Sequence, residues 1–318
     1  MSSKIFTPGI GLRLRILLTS VLVFGLVAGI LGVILVASGI GGSGGIMFWL
    51  MVSLFMLGVQ WYFGPTIIKI ATGAKELKYE DAPQIFEMVE RLSKKAGMPM
   101  PKIYLVNDSS PNAFAFGRTQ NDSGIAIHTG LLSVLNREEV EGVIAHELGH
   151  INNRDVAVMT LASVLPVALY YGVLIFGNDR EGRNTLAAFL GAFVAQFIGQ
   201  LMVMWLSRQR EYYADEFSAR LTGNPAALMR ALAKISYGVK TSGENSQSMV
   251  KALYFAESSA AKTDFIEVMK AIDADNAATL AQAVEKEKKG GIVELFMTHP
   301  LTAKRIEHLW KIKKEIAS

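Results

Sequence analysis

Four apolar stretches punctuate the chain and set its first reading. Residues 16–38 carry no charge and reach the roughly 20 residues that a helix needs to cross a bilayer. A short glycine-rich turn at 39–45 leads into a second run at 46–64, which stops at Pro65. Two further runs, 156–177 and 185–206, flank the polar segment 178–184. Pro166, Gln196 and Gln200 dilute this last pair, so a buried helical hairpin is a competing reading; their length favours spanning helices. The first run has the look of a signal peptide, but its length and the second span directly after it predict a retained hairpin.

Between and after these runs the pattern changes. Residues 82–96 repeat Ile85, Met88, Val89 and Leu92 at helical spacing. Strand-like stretches follow at 102–107, 113–117 and 124–129, with turn-forming residues at 108–111 and 119–123. A helix then opens at Asn136, a good N-cap, with Glu139 in the capping-box position and Val140, Val143 and Ile144 as its apolar stripe. Residues 245–290 read as loops and exposed helices, and 302–316 as a helix entered through Pro300.

The predicted fold is therefore mainly α: four transmembrane helices joined to an α+β domain with a small β-sheet. Its parts are an N-terminal hairpin at 1–65, a first polar part at 66–155, a second hairpin at 156–206, and a second polar part at 207–318.

Charge gives the orientation. Lys4, Arg13 and Arg15 precede the first run, Lys69, Lys75 and Lys78 follow the second, and Arg208 and Arg210 follow the fourth. The first connecting loop has no charge and the second is balanced, so the basic excess lies on one side, which predicts that the polar parts are cytoplasmic and that the chain sits in the cell (inner) membrane. The net charge of +4 follows from this topology and calls for no nucleic-acid partner. The chain has no cysteine, which excludes disulfides and thiolate metal ligands.

The chemistry concentrates at His146-Glu147-Leu148-Gly149-His150. Two histidines four apart leave one face of a helix and suit a single zinc ion, while Glu147 stands where a carboxylate can take a proton from water. Gly149 admits either close approach at the metal or a plain packing contact. A peptidase zinc site takes a third protein ligand and leaves room for water. Glu211 is the candidate, with Asp215 one turn on as a partner for a ligand imidazole; the alternative is a surface pair with Arg208 or Arg210. Asp155 is a rival for the imidazole role. His299 and Arg305 are candidates to stabilise the transition state, although His299 is equally readable as a loop residue. His128, alone on a strand, reads as packed or solvent-facing rather than as a ligand. Asn112, Ala113 and Phe114 begin a candidate edge strand able to pair with an extended substrate.

The histidine helix, the hairpins around it, the run Arg210 to Asp215, Asn112-Ala113-Phe114-Ala115, Thr129-Gly130-Leu131-Leu132 and Thr298-His299-Pro300 together resemble the HtpX family of membrane zinc endopeptidases, over nearly the whole chain. The resemblance implies a gluzincin-type (zincin-like) catalytic domain, one Zn²⁺ per chain on His146, His150 and Glu211, and Glu147 as general base. It also implies substrate pairing at the Asn112 strand. Misfolded or damaged membrane proteins, or unfolded polypeptides, would be the substrates in envelope quality control, with self-cleavage. Relatives often carry a second proline after His-Pro where this chain has Leu301. A prenyl-protein CAAX peptidase is the alternative enzyme, but calls for more spanning segments. A membrane scaffold with structural zinc is the alternative outside catalysis, and it leaves Glu147 without a role.

Overall fold

The computed structural model describes residues 43–177, 185–237, 268–272 and 297–317. The predicted run at 16–38 and most of the stretch 245–290 lie outside them. The described residues divide into two compact units, one holding those of 43–58 and 161–203, the other those of 59–160, 204–237, 268–272 and 297–317.

Three described helical stretches, 47–72, 155–174 and 186–222, are long and apolar enough to cross a membrane. Helix α1, Ser43–Thr72, runs through Pro65 rather than stopping there. A proline deletes one i→i−4 hydrogen bond, which does not end a helix whose flanks are apolar on both sides. The run 156–177 is two pieces, α5 (Asp155–Ala162) and α6 (Val164–Gly177). Pro166 has no N–H to give the Ala162 carbonyl, and α5 ends at that residue. Helix α7, Thr185–Thr222, is continuous well beyond the predicted limit of 206. No glycine or proline stands between residue 206 and Gly223, whose φ of +73° stops the helix. Within the first unit Gly199 meets Pro166 so closely that a Cβ would fall 2.8 Å from the Pro166 Cα.

The second unit is built on a small mixed sheet. Its strands are β1 (Lys75–Glu76), β2 (Lys102–Val106), β3 (Ala113–Thr119) and β4 (Asp122–His128), in the order β1-β2-β4-β3. β2 and β4 are parallel; β3 and β4 form an antiparallel hairpin, and β3 is an edge. Both hairpin strands run further into the predicted 119–123 turn than the pattern indicates. Gly117 permits this at φ +140°, where a Cβ would fall 2.2 Å from the Asp122 carbonyl oxygen. His128 is buried and packed, its Nδ1 3.0 Å from Ser110 Oγ.

Against this sheet pack α3 (Thr129–Val134) and α4 (Arg137–Asn152), while α2 (Pro83–Ala96) and α8 (Pro225–Tyr237) pack on α4 and α9 (Thr302–Ala317) packs on α8. Leu92, Ile103, Ile125, Ile144, Leu228 and Ile306 are among the side chains fully enclosed between them. The capping box of α4 forms as its sequence requires: Glu139 N donates to Asn136 Oδ1 at 3.0 Å, and Asn136 N to Glu139 Oε2 at 2.9 Å. Lys234 Nζ adds a 2.7 Å bond to that buried carboxylate and ties α8 to the start of α4.

Candidate active site

Helix α4 is enclosed on nearly all sides, which fixes what its two histidines can reach. Gly142 and Gly149 make that enclosure possible. A Cβ on Gly142 would meet the backbone of Leu228 at 3.1 Å, and one on Gly149 the Cα of Ala214 at 3.0 Å. Gly149 is thus a packing contact with α7, not an opening toward substrate. Ser218 Oγ, also on α7, donates to the Gly142 carbonyl at 2.7 Å. These close approaches bring the carboxylates of α7 to the imidazoles of α4.

His146, His150 and Glu211 come together as a possible metal-binding group. Their contacting atoms lie 3.2 Å apart (His146 Nε2 to His150 Nε2), 3.6 Å (His146 Nε2 to Glu211 Oε2) and 3.6 Å (His150 Nε2 to Glu211 Oε1). Two ligand atoms each about 2.1 Å from a tetrahedral zinc stand about 3.4 Å apart, so the three fit such an ion. The donor set of two nitrogens and a carboxylate suits zinc as well.

The remaining ring nitrogens are both spoken for. His146 Nδ1 is 3.0 Å from Asp215 Oδ1, and His150 Nδ1 is 2.5 Å from Asp155 Oδ2. The two aspartates are therefore not rivals: each takes one imidazole and selects the tautomer that turns Nε2 toward the cluster. Each aspartate is in turn held by an arginine. Arg305 grips Asp215 in a two-pronged pair, Nη2 to Oδ1 at 2.6 Å and Nε to Oδ2 at 2.8 Å. Arg210 Nη2 stands 2.9 Å from Asp155 Oδ2.

Neither arginine of the expected surface pair touches Glu211. Arg208 donates to the Met297 carbonyl at 2.8 Å, and Arg210 faces Asp155. Glu211 is buried and meets Arg305 Nη1 at 3.1 Å and His299 Nδ1 at 3.1 Å. His299, half-exposed on its loop, therefore stands at the metal group's edge. Arg305 is engaged with Asp215 and Glu211 and also lines the cleft that runs past them.

Burial pushes the His146 imidazole toward neutrality, but its hydrogen bonds to Asp215 and Glu211 outweigh that, and its pKa is pushed up to about 10. Burial pushes the Glu147 carboxyl up, with His150 and His146 pulling the other way. Glu147 Oε2 accepts the backbone N–H of Ala115 at 2.7 Å. That N–H is spent on α4 and not on β4, so it marks the open side of β3.

A cleft of about 480 Å³ runs past these groups, with Asn112, Ala113, Phe114 and Glu147 in its wall. Such an arrangement can hold a divalent metal beside a carboxylate base and an unpaired strand edge. The chain pattern did not disclose the parts played by Arg210 and the Ala115 amide. Arg210 carries no mark beyond a charge beside Glu211, and a backbone amide has no sequence signature.

Comparison with known proteins agrees with this chemistry. The profile of peptidase family M48 matches residues 80–313. A protease HtpX homolog of Pyrococcus furiosus is 36% identical over 317 residues, covering 97% of this chain and 98% of the relative. Those of Aquifex aeolicus (35% over 291 residues, 87% of each) and Methanothermobacter thermautotrophicus (38% over 226 residues, 70% of this chain and 85% of the relative) are also similar. The crystal structure of S. mikatae Ste24p aligns with a TM-score of 0.49 at 19% identity, covering 83% of this chain and 67% of that one.

Proposed function

The chain belongs to the HtpX proteases of peptidase family M48 and is a metalloprotease, and from that premise we propose that it is a membrane-embedded zinc endopeptidase cutting misfolded or damaged membrane proteins at the cytoplasmic face. The observation that carries the reading is the group His146, His150 and Glu211 with Glu147 beside it on the same helix. Zinc bound there supplies Lewis-acid polarisation of the scissile carbonyl and of water. His146, His150 and Glu211 hold the ion, and Asp215 and Asp155 keep the two imidazoles in the ligating tautomer. Glu147 takes the proton from the attacking water and passes it to the leaving amine. The hydrogen bond from Ala115 holds one of its oxygens, so the carboxylate is aimed before substrate arrives. The outward side of β3, from Ala113 on, pairs with an extended substrate backbone. His299 and Arg305 set the electrostatics of Glu211.

The apolar helices support a membrane setting, and the basic residues around them support a cytoplasmic catalytic part. The test is co-reconstitution in vesicles with a membrane protein carrying an unfolded loop on either face. Cuts should fall on the face that also exposes residues 66–155. Cuts confined to the opposite face contradict the orientation.

A further inference from the structure

The cleft differs from one end to the other. Val143, Leu228 and Leu232 line it beside the first half of α4, whereas Arg118, Arg154 and Arg210 line the far end. There Gln120 Nε2 donates to the Asn152 carbonyl at 2.9 Å and fastens the β3–β4 turn to the end of α4. Two of the three arginines are compensated. Arg118 Nε pairs with Asp122 Oδ2 at 2.6 Å and its guanidinium lies over the Tyr62 ring, and Arg210 pairs with Asp155. Arg154 is exposed, and among the described residues no group pairs with its guanidinium.

Arg154 also occupies an unfavourable backbone region, at φ +55°. Elsewhere among the described residues positive φ belongs to glycines, and α2 and α7 each end on one, Gly97 and Gly223. An L-residue is strained there because its Cβ crowds the following carbonyl oxygen. The α4 end thus keeps a guanidinium where glycine would be unstrained, and it does so on the wall of the cleft.

Two rulers place this charge relative to the bond to be cut. From Glu147 to Asn152, where α4 ends, is five helical residues, a rise of about 7.5 Å, and Arg154 two residues beyond brings the span to about 10 Å. From Ala115, bonded to Glu147, to Arg118 is three strand residues, again about 10 Å. An extended polypeptide with its scissile carbonyl at Glu147 reaches that end with the side chain about three residues away.

We propose that the arginine end of the cleft is a subsite for an acidic side chain, and that Arg154 makes the enzyme select Asp or Glu about three residues from the cut bond. This rests on the peptidase reading above. The test uses the full chain in neutral detergent and quenched peptides alike except for Asp or Asn at successive positions. Wild type should favour Asp about fivefold in kcat/KM at one position on one side of the bond, the scale of a partly exposed ion pair. The preference should shrink as salt is raised. Arg154→Lys should keep it; Arg154→Gly, which fits the backbone, should bring the Asp/Asn ratio close to one with metal content unchanged. A ratio that is the same in Arg154→Gly and wild type overturns the proposal and leaves Arg154 as a charge at a helix C-terminus. So does a loss that is equal for both peptides and follows the anionic lipid content of added vesicles, which would make Arg154 a membrane-surface contact. Absence of any cleavage by wild type would instead refute the peptidase reading itself.

Discussion

Glu147 Oε2 accepts the backbone N–H of Ala115 at 2.7 Å, joining the centre of the histidine helix to the edge strand of the sheet. The bond makes the position of the proposed base depend on the register of β3. Ala115→Pro deletes that N–H on the open side of the strand, where proline is tolerated. It should lower kcat/KM by about tenfold or more, since hydrogen bonds to charged groups are worth about 1.5–3 kcal/mol, and leave bound zinc unchanged. Full activity in this variant would mean that the bond positions nothing.

The paired chains Arg305–Asp215–His146 and Arg210–Asp155–His150 predict a graded response to substitution. Glu211→Gln removes a ligand and should weaken zinc binding most. Asp215→Asn and Asp155→Asn should each weaken it by about 10–100-fold, because the imidazoles lose their orienting carboxylates. Competition against a chelator of known affinity measures this. An aspartate variant that holds zinc as firmly as wild type removes that residue from the site.

Helix packing gives a third expectation. Gly149→Ala places a Cβ 3.0 Å from the Ala214 Cα, a backbone atom that cannot swing aside. Overpacking should cost about 1–3 kcal/mol despite alanine's better helix propensity, and should move α7 enough to loosen zinc. A rise in the thermal midpoint would show that α7 yields freely.

Metal removal should reveal the His146 proton. In protein stripped by a chelator, His146 keeps its proton up to a pKa of about 10, against 6.5 in an unfolded chain. Ligation needs the neutral ring, so zinc uptake at pH 8 should expel about one proton, and affinity should fall as pH falls. The stripped protein itself gains stability from this proton that is complete below about 6.5 and is lost as pH rises through about 10. Calorimetry in two buffers of different ionisation heat counts the proton; a count of zero contradicts the assignment.

Much of this site was readable from residue spacing because its signals are local. Asn136 and Glu139 declare the start of α4, four residues separate the two histidines, and Asp215 follows Glu211 by one turn. What spacing left undecided depends on contacts across the chain. Whether Asp155 or Asp215 serves a ligand imidazole turned on two events. One is the left-handed turn at Arg154, which bends the chain back to His150. The other is the approach of α7 at Gly149. Arg305 lies 90 positions beyond Asp215, and no periodicity connects them. The two-residue β1 is too short to leave a pattern, and the continuity of α7 past 206 was hidden by the change from apolar to charged residues.

The most direct measurement is zinc content and peptide cleavage on the same preparations of wild type and Glu147→Ala. About one zinc per chain is expected in both, with cleavage in the variant reduced by orders of magnitude because the base is not a ligand. A Glu147→Ala protein that cleaves at the wild-type rate with its zinc in place would contradict it.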